Sequence, residues 1–375
     1  MKVLHLAAGN RWTGAAAPAF AEAEALRQAG VDAHYAYVGG YKLQAKIGHV
    51  DFAHPIIGKK QNPRSFLRAV EELERLIDHH HFDLLHSHLT YDHWLARLAA
   101  RGRNVRLART FHARRVVRSD PFTRHLIART DALFVINDAL SALPPFRGRV
   151  VTVTPPPVDL DQFSPQGPDV RGLYGIPADV PVAMAIGKLT ADRGFQDVVE
   201  AFAIGARSIP NAILVIVGHG EDRPRLEAIA RALGVAEKVV WAGYHEEDLA
   251  EHYRAADVLL FTVQGSDEGH RAVLEAMACG VVPLTYPIPG MAAILGSLAA
   301  RSMASQPNSA TLAVKVEEAL RRLTPESRRE ASSQSMAFGY PAAAQRLIEG
   351  YAGDRRLCIG GPRRAESTAV RSPLP

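Results

Sequence analysis

The chain has two cysteines in 375 residues. Cys279 lies in an apolar helical run and Cys358 in a polar tail, a pattern that excludes a disulfide framework and offers no metal-binding spacing. Both are expected to be reduced thiols. No stretch reaches the roughly 18 uncharged apolar residues that a membrane-spanning helix needs. The opening MKVLHLAAGNRWTG has no long apolar core followed by a cleavage site, so a cytoplasmic protein is expected. The first strand-to-helix turn lacks G-x-G-x-x-G with an acid at ribose distance, which disfavours a dinucleotide-dependent oxidoreductase.

What is present is a soluble-protein composition: 47% hydrophobic, 22% charged, net charge +5. At this length two domains are the default, since one hydrophobic core stops growing well before that size. The charge is unevenly placed. Between Arg101 and Thr130 nine arginines face a single acid, Asp120. Such a basic face suits an anionic membrane surface or a phosphorylated substrate, and it equally suits a solvated surface. Nucleic acid is not expected, because no aromatic stacking platform accompanies the arginines.

Strand and helix signals alternate along the chain. KVLHLAA reads as a buried strand, AAAPAFAEAEALRQAG as a helix closed by Gly30, and VDAHYAYVGG as the next strand. After residue 180 the alternation returns in VPVAMAIG, AILVIVG, KVVWAG and DVLLFTV, with intervening helices such as RPRLEAIARALG. Continuous apolar strands separated by helices indicate parallel sheets covered on both faces. The stretch TVTPPPVDLDQFSPQGPDVRGLYGIPADVP is too rich in proline and glycine for a regular element and reads as the linker. The expected fold class is α/β, with two Rossmann-like, doubly wound domains facing across a cleft where the strands' carboxyl ends meet.

Three segments, AIGKLTADRGFQDVVEAF, LVIVGHGEDRPRLEAIARALGVAEKVVWAGYH and GSDEGHRAVLEAMACGVVPLT, together resemble the C-terminal half of glycosyltransferase family 4. Those are retaining nucleotide-sugar transferases of GT-B fold. DLLHSHLTYDHWLARLAAR, ARTFHA, ALFVINDAL and PPPVDLDQF resemble that family's acceptor domain. The resemblance implies an acceptor-binding domain over 1–165, a donor-binding domain over 166–340, and a helix over 341–352 that crosses back onto the first domain. A tail over 353–375, rich in breakers, is expected to be disordered.

The resemblance also assigns roles. Lys188 and Arg193, in GKLTADRG, match the two cations that stabilise a leaving diphosphate. The family has Arg first and Lys second, so this chain exchanges them. Gly187 and Gly218 match glycines that let backbone approach the donor. Glu275 matches the carboxylate that accepts hydrogen bonds from the nucleotide's ribose hydroxyls. Asp267 matches the family's glutamate eight residues earlier, as a shorter acid. With Gly269 and His270 it sits where a strand gives way to a helix, a place suited to an anion. Taken by itself, Asp267 also reads as a helix N-cap.

On the acceptor side Thr13 and Gly14 match the family's glycine-pair turn, with Ala15 replacing the second glycine. His112 matches a cleft histidine near the transferred sugar, and His86 is a weaker cleft candidate, with His88 beside it. The run His79 to His81 reads as a charged helix C-cap rather than a metal site. No Asp-x-Asp pair occupies a strand-end loop, so no metal and no cofactor is expected. The expected partners are a nucleotide sugar and a cell-envelope glycan or lipid-linked saccharide. An alternative is a non-catalytic paralogue that binds nucleotide sugar as a binding or regulatory protein.

Overall fold

Short, mostly apolar runs form the strands, although His5, His34, His86 and Arg109 interrupt those of the first sheet. The computed structural model describes residues 1–9, 12, 14–58, 62–263 and 270–353. The first sheet contains β1 (Lys2–Ala7), β2 (Asp32–Val38), β3 (Ala53–Ile57), β4 (Leu84–Ser87), β5 (Arg106–Phe111), β6 (Ala132–Val135) and β7 (Val151–Val153). Its order is β3-β2-β1-β4-β5-β6-β7, with every pair parallel. The second sheet contains β8 (Val182–Ile186), β9 (Ile213–Val217), β10 (Val239–Gly243), β11 (Val258–Phe261) and β12 (Val282–Thr285). Its order is β10-β9-β8-β11-β12, again parallel.

Strand order reverses direction between β1 and β4 in the first sheet, and between β8 and β11 in the second. A doubly wound sheet opens a crevice at the carboxyl ends of the strands at such a point, because the helices that follow depart to opposite faces. The loops after β1, β4, β8 and β11 are therefore the ones that can surround a ligand.

The helix Ala16–Gln28 ends as its sequence indicates, with Gly30 in the left-handed region at φ 80°. The helix Tyr340–Ala352 packs into the first domain's core, where Tyr340, Ala344, Leu347 and Tyr351 join Ala19, Leu26 and Phe134. Gly350 on this helix has no room for a side chain, since a Cβ would stand 2.4 Å from Phe134.

By packing, the domain division comes earlier than residue 165. Val158, Phe163 and Ile176 lie in the second domain's core. Residues 354–375, with Cys358 and the expected disordered tail, lie outside the described residues. Cys279 closes the helix Arg271–Ala278, and burial pushes its thiol up to about 12. Among the described residues no helix is long and apolar enough to cross a membrane.

The arginine face is divided by the fold. Arg109 is interior, 1% exposed, with Nη1 at 3.6 Å from the buried Asp92 carboxylate. Arg103 forks onto Asp78 at 2.9 Å and reaches Glu74 at 3.3 Å. Because β5 runs from Arg106 to Phe111, Arg101 and Arg103 lie at one end of the strand and Arg114, Arg115 and Arg118 at the other. Six residues of strand separate those ends by about 20 Å.

Candidate active site

On the second domain, β8 ends in Gly187 (φ 149°) and the exposed Lys188, followed by a single turn over Ala191–Arg193 and Gly194 (φ 71°). The Gly187 N–H donates to Val217 O at 3.0 Å, and the Leu189 N–H to His219 O at 3.0 Å. This loop and the one after β9 thus lie backbone against backbone. A Cβ on Gly218 would stand 1.8 Å from Gly187 O, and one on Gly220 would stand 2.0 Å from Leu189 O. The requirement for glycine at Gly218 is met in full by this loop-to-loop packing.

The same loop is tied to β11. Thr262 Oγ1 donates to Gly194 O at 2.9 Å, and a Cβ on Gly194 would lie 2.6 Å from that hydroxyl. The backbone of Arg193 and Gly194 is thereby held beside the exit of β11, with Lys188 at the start of the same loop. From there the chain leads through 264–269 to the helix Arg271–Ala278. Asp267 and Gly269 lie outside the described residues, as does Thr13 in the first domain.

His270 begins the helix in the left-handed region (φ 52°), buried at 2% exposure. Its Nε2–H donates to Pro289 O at 2.8 Å, leaving Nδ1 as a buried acceptor with no partner among the described residues. One turn on, Glu275 is also buried. Its Oε2 accepts from Tyr253 Oη at 3.0 Å, and its Oε1 stands 3.1 Å from Arg271 Nε. Two neighbours on its own side of the site therefore hold a carboxylate that would otherwise resist burial.

On the first domain one carboxylate organises both crevice loops. Asp92 accepts from the Ala8 N–H (3.2 Å) after β1, and from the Leu89 N–H (2.7 Å) and His88 N–H (3.4 Å) after β4. Burial pulls against both charges of the Asp92–Arg109 pair, moving the acid up to about 7 and the guanidinium down to about 10. Gly14 takes the positive φ of 61° that the turn into the Ala16 helix requires.

His112, half-buried just after β5, has Nε2 at 3.0 Å from His88 Nδ1. Burial, with the Arg109 charge second, holds its ring down to about 3, so it is neutral at ordinary pH. His86 is placed differently from expectation. It lies inside the sheet at 0% exposure, with Nδ1 at 2.7 Å from Tyr351 Oη and Nε2 at 2.8 Å from Thr110 Oγ1. It is an interior residue with a neighbour at each ring nitrogen, and it does not line the cleft.

Where the domains meet, Arg114, Asn137 and Leu140 face His270, Ile288 and Pro289 around one pocket. The approach is close, for a Cβ on Gly290 would lie 2.6 Å from Asn137 Cβ. Lys46 Nζ of the first domain and Glu246 Oε1 of the second form a 2.5 Å ion pair across the junction. In the sequence Arg114 is one of nine arginines in the basic stretch, and Asn137 belongs to no site motif. The signal available for both was position, since each follows the carboxyl end of a strand.

Comparison with known proteins agrees with this architecture half by half. Residues 12–162 match the family model Glycosyltransferase Family 4, and residues 169–337 match Glycosyl transferases group 1. The chain belongs to glycosyltransferase family 4. HepE of Anabaena, solved with UDP, superposes with a TM-score of 0.77 at 16% identity, covering 94% of this chain and 100% of that one. That likeness shows the fold, which is GT-B.

Among family members, the GDP-mannose-dependent alpha-(1-6)-phosphatidylinositol monomannoside mannosyltransferase of Mycolicibacterium smegmatis is 38% identical over 138 residues, 34% of this chain and 36% of that protein. The D-inositol 3-phosphate glycosyltransferase of Geodermatophilus obscurus is 30% identical over 277 residues, 63% of this chain and 59% of that protein. The chain thus spans between about a third and three fifths of the length of these curated relatives.

Proposed function

We propose that this protein is a retaining glycosyltransferase that moves a sugar from a nucleotide-diphosphate donor to a hydroxyl of a cell-envelope glycan or lipid-linked saccharide. The observation that carries the reading is the Thr262 tie, which sets the Lys188 to Arg193 loop beside the strand exit leading to the buried, held Glu275. A donor diphosphate develops negative charge as the sugar bond breaks, and fixed cations there lower the barrier more than they tighten ground-state binding. Lys188 and Arg193 supply that charge, so the transfer itself takes place without a metal. Glu275 accepts from two neighbouring ribose hydroxyls, and the neutral His112 donates to the sugar. The retaining outcome rests on family membership.

The names of the relatives support the partner classes: one is GDP-mannose-dependent with a lipid-anchored mannoside as acceptor, and the other acts on an inositol phosphate. Arg114, Arg115 and Arg118, at the cleft end of β5, face the acceptor or the anionic cytoplasmic membrane that carries it.

Thermal shift against a panel of nucleotide-diphosphate sugars, followed by donor hydrolysis, tests the reading. One donor is expected to stabilise the protein, by about 2.7 kcal/mol at a hundredfold excess over its dissociation constant. Glu275→Ala is expected to abolish that gain, and Arg193→Ala to lower it far less than it lowers transfer. Stabilisation without hydrolysis or transfer would instead favour a non-catalytic nucleotide-sugar-binding protein.

A further inference from the structure

The first domain buries a cluster that the proposed transfer reaction does not use. His5 on β1, His86 and His88 on and just after β4, and Glu22 on the Ala16–Gln28 helix are each at most 1% exposed. Their ligand-capable atoms all lie within 4.8 Å of one another. Glu22 Oε2 points into the three rings, 3.8 Å from His5 Nδ1, 3.9 Å from His86 Nδ1 and 3.8 Å from His88 Nε2. His5 Nδ1 and His88 Nε2 are 3.0 Å apart.

Glu22 Oε2 is buried and has no hydrogen-bond partner among the described residues. An acceptor left in this way costs about 1–3 kcal/mol, more if it is charged. The charged neighbour whose field reaches it is Arg346, yet Glu22 Oε2 and two Arg346 nitrogens are all buried without a hydrogen bond, so the two do not satisfy each other. Hydrogen bonding within the described structure leaves the cluster incomplete.

We propose that His5, Glu22, His86 and His88 form a structural site for a divalent transition-metal ion, zinc being the best fit to three imidazoles and one carboxylate. Four ligands each at about 2.0–2.1 Å from a tetrahedral zinc stand about 3.3 Å from one another. Four of the six separations, 3.0 to 3.9 Å, straddle that value, and the other two lie within 4.8 Å, so binding would draw the four groups inward. All four positions come from protein and none faces solvent, which is the pattern of a structural rather than a catalytic zinc.

The outer contacts are those that ligating imidazoles need. A metal-bound histidine uses its second ring nitrogen to hold its orientation. His86 Nε2 meets Thr110 Oγ1 at 2.8 Å, and His88 Nδ1 meets His112 Nε2 at 3.0 Å. The Tyr351 hydroxyl, 2.7 Å from His86 Nδ1, also stands 3.4 Å from His5 Nε2 and keeps a partner when the metal takes the His86 lone pair.

With metal on His88 Nε2, His88 Nδ1 carries the proton and donates to His112, so neutral His112 must hold its own proton on Nδ1. The ion would thus fix the tautomer of the cleft histidine, and would join the Ala16 helix to β1 and β4. The inference stands apart from the proposed transfer activity, because its test needs no substrate.

The test is elemental analysis of purified full-length protein, stripped with a chelator and then dialysed with zinc. It is paired with the visible spectrum of the cobalt-loaded form, whose band intensity reports tetrahedral coordination. A His54→Ala/His245→Ala background removes the other histidine clusters, His34, His54, His80 and His245, Asp248, His252. In that background about one zinc per chain is expected, with a tetrahedral cobalt spectrum and a melting temperature that falls on chelation. Glu22→Gln and His5→Asn are each expected to lose the ion. Failure of the background protein to retain zinc or give the cobalt spectrum would overturn the proposal. So would full retention by folded Glu22→Gln. Should Glu22→Gln not fold, the background protein alone decides.

Discussion

Across the middle of the first sheet the paired residues run Tyr35, His5, His86, Ala108, Ala132. The corresponding row of the second sheet runs Val240, Val215, Met184, Leu259, Pro283. Both sheets are parallel and doubly wound, yet the middle row of the first carries three titratable rings and that of the second only apolar side chains. The second domain places its polar groups on loops and brings those loops together through glycines that allow backbone-to-backbone approach. The first domain instead orders its crevice with charges and imidazoles inside the sheet. One plan can therefore be stabilised in two ways, and the two should respond differently to mutation and to acid.

The sharpest test of that contrast is Asp92→Ala. Removing one partner of a buried ion pair leaves Arg109 uncompensated, so a loss of about 3–5 kcal/mol in denaturant unfolding is expected, confined to the first domain. On the other side, Arg193→Ala should leave stability nearly unchanged while lowering kcat/KM by about 10²–10³, because a loop cation at a leaving diphosphate acts chiefly in the transition state. A large fall in stability would show that Arg193 is structural.

Gly218→Ala probes the backbone device of the second domain. With φ at 146° and a Cβ directed at Gly187 O, a loss of about 3 kcal/mol is expected. The Trp241 signal should report it while the Trp94 signal does not. Acid should act in the opposite direction. In the first domain His93 is held well below its ordinary pKa and His54 down to about 4, with His34 and His80 also lowered, burial being the first cause in each; the second domain sets His252 against these. Because the folded state prefers the neutral rings, their stabilisation is complete above pH 6.5 and is lost as pH falls toward 4. The acids Asp92, raised to about 7, and Glu24, also raised, oppose this because the folded state prefers them protonated, but the four lowered rings outnumber them. Between pH 7 and 5 the Trp94 transition is therefore expected to weaken more than the Trp241 transition, read in variants that retain only one of the three tryptophans. Equal weakening would remove the contrast. The smallest effect is expected at the junction, where Lys46→Ala breaks a half-exposed pair and should change stability by less than about 1 kcal/mol.

Much of this was legible beforehand because its causes are local. Apolar runs of five to seven residues gave β1, β2, β8 and β9, and Gly30 marked a helix end that only a positive φ could make. The continuous apolar character of the strands gave the parallel sheets. The His79 to His81 run was legible only in part. His81 does cap its helix, but His80 turns inward onto His34 and His54 and is held neutral rather than charged.

What escaped was burial of polar groups. His5 and Glu22 each interrupt an apolar run, and nothing nearby in sequence says whether such a residue is hidden or exposed. His86 was read toward the cleft and lies inside the sheet. Its tyrosine partner is 265 residues away and arrives only when the last helix folds back.

The sequence by itself determined the two parallel sheets and the residue types at the strand ends, since backbone geometry and hydrophobic period act over a few positions, whereas the strand order and its switch points came with the fold. The tertiary structure decided which arginines are surface and which is core, and that His86 lies inside the sheet while His112 is half-buried just beyond it. It also decided whether four ligands from β1, β4 and a helix converge on one point. The burial of a charge or ring depends on groups that come from distant parts of the chain, and only the packed fold brings them together.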